Sequence, residues 1–521
     1  MRNRQSIIKD IAALTVLAVF GLWVNRGIEI RGLYMDDLYM WSCYGEQSLI
    51  EFAFPIGTST RFRPVYWLAT YLQMMIVGPH IERFVLFNAA VNIAEAFGIY
   101  FFSRRLSENR LISGAVGVCW LASRFAYYQM GQALGLMETM AQAFALAILY
   151  LLYRFISSEE SESRKQSCWY TALLLYFLLA FTHERYIALL PLFYLAMLPE
   201  SGYRKRHRAS AVAPAAVLVI IVIIRALTIG KAIPAGTGGT EVTDTFSLGQ
   251  FIRYGISQIL YILGINAGPE HLNGLTWEQT PEYIRIAVLA GAACILLLAA
   301  VFAVSVGSRL RKADSRDGAA EDLRVFMLFA AFAALCIACS SVTIRVEMRW
   351  IYVSFAAALL LTAYMSRAIV RGCAKDELYG CSALIGRGGA ALLLSFCLIS
   401  SLTNIYYRGY FDRLYFWPDQ LRMNSLAGQT IEKYGREGVF GKNIYILENS
   451  YGMSDFYAGT FFKTFDPEKK AENTNVIFVP EADDIPRDEL REDRAIVLKE
   501  LPEDNAYLDI TEELKKENGS R

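Results

Sequence analysis

The chain of 521 residues is 55% hydrophobic and 13% aromatic but only 19% charged, too apolar for an ordinary soluble domain. A formal net charge of +1, with no basic stripe in any polar stretch, excludes nucleic acid as a partner. From Tyr407 onward 23 Asp and Glu stand against 16 Lys and Arg, so everything before that point is net positive.

A basic start from Met1 to Lys9 leads into an apolar run ending near Val24. No small-residue cleavage site closes it, so it reads as a retained membrane span. Further runs able to cross a bilayer core of roughly 30 Å fall at 84–102, 111–126, 136–155, 169–181, 186–198, 209–228, 284–306, 325–342, 351–368 and 383–405. With the first, about eleven spans are predicted. Lys and Arg concentrate in alternate connections, among them Arg104-Arg105, Arg204-Lys205-Arg206 and Arg309 to Lys312. Positive charge resists translocation, so these segments and the N-terminus are predicted to be cytoplasmic. External loops then cover 27–63 and 231–282. Within or beside them, 65–77 and 251–265 read as helices lying at the membrane surface.

The fold class predicted is an α-helical polytopic membrane protein over 1–406, followed by a small extracytoplasmic α/β domain at 407–521. Strand-like runs at 443–447 and 475–479 alternate there with acidic, helix-compatible stretches. The segment Gly236-Thr237-Gly238-Gly239 lacks the Lys-Ser/Thr of a phosphate-binding loop and reads as a linker. Nine cysteines give no disulfide framework; Cys336 and Cys339 sit inside an apolar run and read as core. The lack of external cysteine pairs fits a bacterial plasma membrane.

The polar residues at the outer helix ends carry the chemical signal, because charge near a membrane span is costly and marks function. The first outer loop holds Asp36 and Asp37, flanked by Tyr34, Tyr39 and Trp41, and ends in Arg61-Phe62-Arg63-Pro64. Adjacent carboxylates repel, so one holds its proton more tightly, and either can act as a general base or help bind a cation. Arg124 and Gln129 close the third span and Glu138 opens the fourth. His183-Glu184-Arg185 forms a tight outer turn, and Arg345, Glu347 and Arg349-Trp350 precede the tenth span. Plainer readings are a solvated acidic loop, a structural histidine, and arginines snorkelling to the interface.

Taken together, these patches resemble the GT-C superfamily of polytopic glycosyltransferases, in the manner of protein O-mannosyltransferases and aminoarabinose transferases. The acidic pair in the first external loop, Arg61 to Pro64, the block 84–92 followed by Arg104-Arg105, Glu138, and the His183-Glu184 turn carry the likeness. His183 stands where the family more often has Lys. The resemblance implies an enzyme, a glycosyltransferase moving a hexose or pentose from a polyprenyl-phosphate-linked donor with inversion. The acceptor would be a hydroxyl of a glycan, lipid or protein at the outer membrane face. Such chemistry needs a base for the acceptor proton, with Asp36 and Asp37 as candidates. It also needs cations against the departing phosphate, with Arg61, Arg63, Arg185, Arg349 and His183 as candidates; Glu138 and Glu184 would support them. Asp37 with Glu138 could hold a divalent cation, Mg or Mn, through oxygen ligands, and metal dependence stays open. The rival readings are a polymerase or ligase using lipid-pyrophosphate glycans, and a lipid-linked sugar transporter. A transporter should carry charge midway along spans, for which Arg225 is the main candidate.

Overall fold

The computed structural model describes residues 2–30, 32–33, 35–44, 46–57, 61–78, 83–133, 135–157, 160–236, 241–266, 274–375, 381–414, 416–465 and 474–519. Eight of its helices are long and apolar enough to cross a membrane: Ser6–Val24, Arg83–Ser107, Leu136–Ile156, Arg208–Ile229, Glu282–Leu310, Ala313–Ser341, Tyr352–Gly372 and Gly386–Arg408. The chain is an integral membrane protein built on this bundle. Helices also stand at the three other places where spans are expected, but they are shorter or more polar. Arg110–Ala122 has 13 residues. Glu162–Ala180 opens on the polar run Glu-Ser-Arg-Lys-Gln. The third is divided into a 3-10 turn, Glu184–Leu189, and a helix, Leu190–Met197, with Pro191 in its first turn.

The surface-helix readings correspond to Pro64–Val77 and Leu248–Ile262. At 14 residues the first is about 21 Å long, too short for the hydrocarbon core. The second is fixed to the end of Ala313–Ser341 by Gln258, whose Nε2 donates to Ser341 Oγ at 2.9 Å. At the opposite end of the bundle, fully buried Asp322 accepts from Arg309 at 2.9 Å and from Tyr364 at 2.7 Å, and pairs with Arg371. Every oxygen there is satisfied, so this is a structural knot rather than a site.

Beyond the last long helix, a four-stranded sheet forms in the order β2-β1-β3-β4, with β1 Asn443–Leu447, β2 Asn475–Val479, β3 Ala495–Leu501 and β4 Ala506–Asp509. β1 runs parallel to both β2 and β3, and β4 closes the edge antiparallel to β3. Period-two alternation assigns the two faces. Ile444, Ile446, Ile496 and Leu498 join the main core with Phe461 and Phe462, while Tyr445, Val497 and Leu490 form a second cluster on the other face.

This C-terminal region is seated on the first loop and on the bundle. Trp41 Nε1 donates to Thr464 O at 3.3 Å, and Gln420 Nε2 donates to Gly131 O at 2.8 Å. Glycine is required at both approaches. A Cβ on Gly32 would lie 2.6 Å from Gln420 O, and one on Gly131 would lie 2.3 Å from the Phe411 ring.

Candidate functional site

Proline sets the first piece. Pro64 begins its helix and disfavours helical backbone at the residue before it, so Arg63 stands off the helix at φ −129° and reaches the turn that begins at His183. That turn is tight because Glu162–Ala180 ends and the 3-10 helix Glu184–Leu189 starts only a few residues later. Val65 N donates to Phe181 O at 3.3 Å and ties the two segments. The Arg63 guanidinium then grips Glu184 with two parallel bonds, Nε to Oε2 at 2.6 Å and Nη2 to Oε1 at 2.8 Å. This bidentate geometry is the strong form of the interaction. Arg61 Nε lies 3.9 Å from the same carboxylate, and its Nη2 donates to Gly236 O at 3.1 Å.

A second pair lies beside the first. Glu138 sits in the first turn of Leu136–Ile156, where the helix dipole favours a carboxylate. Arg185 Nη2 donates to Glu138 Oε2 at 2.5 Å and to Tyr186 Oη at 2.9 Å. The guanidinium lies over the Tyr186 ring at 4.8 Å and the Trp350 ring at 6.0 Å. His183 Nε2 is 3.4 Å from Glu138 Oε1. Arg349 pairs with Glu347, a wholly buried carboxylate that also accepts from Arg345 Nε at 2.7 Å.

Electrostatics divide these groups. Burial alone would push the Glu184 carboxyl up, but Arg63, aided by Arg61, holds it well below the usual carboxylate range. Burial, then the nearby Arg185 and Arg63, push the His183 imidazole well below its ordinary value. His183 is therefore neutral where the surrounding arginines are charged.

These groups line one cavity of about 430 Å³ that includes Arg61, Arg63, His183, Glu184, Arg185 and Arg349. Its other wall is apolar, built from Ile187, Ile233, Pro234, Val242, Phe251 and Val342. Arg185 Nε and Nη1 and His183 Nδ1 are buried there without hydrogen-bond partners. The orphaned Arg185 donors beside an apolar wall can hold an anionic head group carrying a hydrocarbon tail.

The structure thus brings Arg61, Arg63, Glu138, His183, Glu184, Arg185 and Arg349 together. Asp37 is tied to the loop that leads into the Glu138 helix. It is 4% exposed, and its Oδ2 accepts from Ala133 N at 3.3 Å, five positions before Glu138. Asn88 Nδ2 and Gln420 Nε2 hold the same short loop through Gln132 O and Gly131 O, each at 2.8 Å. The side chain of Asp36 lies outside the described residues, as do Arg31 and Tyr34.

Other readings need correction. Glu138 does not suit a hard divalent cation, because its oxygens face a guanidinium and an imidazole rather than further carboxylates. Among the described residues no three His, Cys, Asp or Glu side chains converge. Arg124 does not join the cluster; it packs over Tyr407 at 4.7 Å and Tyr261 at 5.3 Å. Gly236, read as part of a linker, is a wall of the cavity and the acceptor for Arg61; 237–239 lie outside the described residues. Cys336 is core as expected, but Cys339 lines the cavity.

Two further polar residues stand out, Arg225 buried and Glu95 half-buried. Arg225 is 0% exposed, and none of its three guanidinium nitrogens has a hydrogen-bond partner. The charges it senses are Glu184 and Arg63. Glu95, in the middle of Arg83–Ser107, was missed. A single carboxyl amid apolar residues in a predicted span was the available signal.

No protein-family model matches the chain, and no curated protein matches it. Among solved structures it is similar to an oligosaccharyltransferase of Archaeoglobus fulgidus tethered with an acceptor peptide containing the NVT sequon. The identity is 13% and the TM-score 0.48, over 90% of this chain and 64% of that one. It is also similar to ArnT of Cupriavidus metallidurans bound to undecaprenyl phosphate, at 10% identity and a TM-score of 0.49, over 96% of this chain and 94% of that one. The Archaeoglobus protein in complex with an inhibitory peptide and a dolichol-phosphate gives 13% and 0.48, over 94% and 69%. With identities this low, the chemistry rests on the residues of the site itself.

Proposed function

We propose that the protein is an inverting glycosyltransferase that moves a sugar from a polyprenyl-phosphate donor to a hydroxyl acceptor at the extracytoplasmic membrane face. The observation that carries this reading is the cavity beside the bundle. It joins unfilled guanidinium donors to an apolar wall, which is what a phosphate on an isoprenoid tail requires. A soluble phosphosugar would have no use for that wall.

The cationic roles are assigned from the cavity lining and the base from the sequence. Arg185 presents its free Nε and Nη1 to the phosphate, with Arg61, Arg63 and Arg349 around it. As the glycosidic bond to phosphate breaks, negative charge grows on the leaving oxygen, and fixed guanidinium groups stabilise it without reorganising. Glu138 and Glu184 hold Arg185 and Arg63 in place. The acceptor hydroxyl attacks the anomeric carbon as its proton passes to a carboxylate of the first loop, assigned to Asp36 with Asp37 beside it. The side chains present fit this scheme with Glu138 as a salt-bridge partner, not a metal ligand.

The test is a panel of polyprenyl-phosphate sugars presented to the purified protein and to Asp36→Asn, which keeps the shape and removes the base. Transfer should fall by roughly 10²–10⁴-fold while the variant stays folded. Near-normal turnover would rule Asp36 out. A lipid-pyrophosphate polymerase or ligase would draw on the same arginines. The panel separates the two readings by including lipid-pyrophosphate glycans.

A further inference from the structure

Another face of the helix Leu136–Ile156 borders a second cavity, of about 510 Å³, shared with Arg83–Ser107. Glu95, Gly98, Thr139, Gln142, Ala143 and Tyr150 mark its extent. From Thr139 to Tyr150 it follows eleven residues of helix, about 16 Å, running from the end that carries Glu138 into the bundle. Glu95, Thr139 and Gln142 gather toward the Glu138 end; the rest of the lining is apolar apart from Tyr150 at the other end. Gly98 and Ala143 are exposed, so the slot opens toward the lipid. The slot thus offers a lipid chain an apolar, lipid-facing lining with a polar cluster midway along Arg83–Ser107.

The polar end is built, and its chemistry is specific. Glu95 Oε2 accepts from Gln142 Nε2 at 2.6 Å and from Tyr352 Oη at 2.9 Å. Glu95 Oε1 and Gln142 Oε1 are shielded from solvent and have no hydrogen-bond partner. Gln142 is 0% exposed, and its bond to the carboxyl fixes which end of the amide faces away. Among the described residues no Lys, Arg or His lines the slot. The two cavities are therefore complementary. The arginine site has orphaned donors and suits an acceptor-only phosphate. The slot has unfilled oxygens and no cation, so it rejects phosphate and suits a hydroxyl, which both donates and accepts.

We propose that the slot binds a neutral lipid alcohol, with its hydroxyl at Glu95 and Gln142 and its chain along Ala143 and Tyr150. Resting on the glycosyltransferase reading, this lipid is the sugar acceptor, its polar end one helical turn from Glu138. Its oxygen forms the new bond to the anomeric carbon while the carbon–oxygen bond to phosphate breaks. The hydroxyl proton goes to the first-loop carboxylate, and polyprenyl phosphate leaves.

The experiment uses the full chain in lipid nanodiscs with two probes of equal chain length, a photoreactive diacylglycerol and a photoreactive phosphatidic acid. Labelled peptides are mapped by mass spectrometry. Diacylglycerol should label the helices on both sides of the slot, and phosphatidic acid should label them roughly tenfold less, the penalty for unpaired polar contacts. Gly98→Leu, whose Cβ would meet open space, should block labelling without unfolding the chain, and Gln142→Leu should weaken it. Equal labelling by the two probes, or labelling that persists in Gly98→Leu, overturns the proposal. Undecaprenyl phosphate binding, measured alongside, keeps the two readings apart. If it binds and the slot stays unlabelled, the slot fails alone. If the slot is labelled but undecaprenyl phosphate does not bind, the glycosyltransferase reading fails, and the acceptor role with it.

Discussion

Arg185 is where the proposed donor site can be broken most selectively. Its Nη2 is committed to Glu138 and Tyr186, while Nε and Nη1 have no partner. Arg185→Lys keeps a positive charge within reach of Glu138 but loses the planar fork. The substitution therefore spares the buried ion pair and removes the two bonds available to a phosphate. At about 1.5 kcal/mol for each charge-assisted bond, the lower end of the measured range, the loss is about 3 kcal/mol. That corresponds to roughly 10²-fold weaker binding. The assay is titration of the detergent-solubilised protein with undecaprenyl phosphate, read by fluorescence, with the parent hydrocarbon lacking phosphate and hydroxyl as the uncharged control. Wild type should bind the phosphate and discriminate against the hydrocarbon; Arg185→Lys should lose most of that discrimination. A variant that binds within threefold of wild type, with its thermal midpoint unchanged, would refute the assignment of those nitrogens to phosphate.

Three further outcomes follow from the same geometry. Arg225→Leu removes a buried guanidinium without hydrogen bonds and should stabilise the protein by roughly 1–4 kcal/mol, since apolar replacement of buried charge is often favourable; a lowered thermal midpoint would mean that Arg225 has a partner in the folded protein. Acidification should destabilise the protein through His183. Its folded value lies well below the ordinary 6.5, so the unfolded chain binds more protons in between. This contribution is complete above about pH 6.5 and is lost as pH falls toward the folded value; His183→Gln should flatten the pH dependence of the melting midpoint from pH 7 downward, and an unflattened curve argues against it. Gly32→Ala places a methyl 2.6 Å from the Gln420 carbonyl and should cost about 1–3 kcal/mol by overpacking. An unchanged melting midpoint would show that the first loop and the C-terminal region are not tightly seated on each other.

What could be read from the chain alone follows from local physics. Apolar runs of span length, basic residues in alternate loops and two strand-like runs with the right periodicity give the bundle and the start of the sheet. The same reasoning singled out Arg61, Arg63, Glu138, His183, Glu184, Arg185 and Arg349, because charge at the edge of a membrane is expensive wherever it stands. Pairing is a different matter. That Arg63 grips Glu184 across 121 positions, and that Arg185 rather than a metal neutralises Glu138, depends on which helix ends meet, and no local pattern encodes that. The apolar wall from Ile233 to Gly236 belongs to a loop that looks like a linker until Arg61 is found holding it. Glu95 carries the lesson furthest. One carboxyl stands out in an apolar helix, but only packing against Gln142 and Tyr352 makes it the polar end of a cavity, because hydrogen bonds between helices are made by tertiary approach and not by order along the chain.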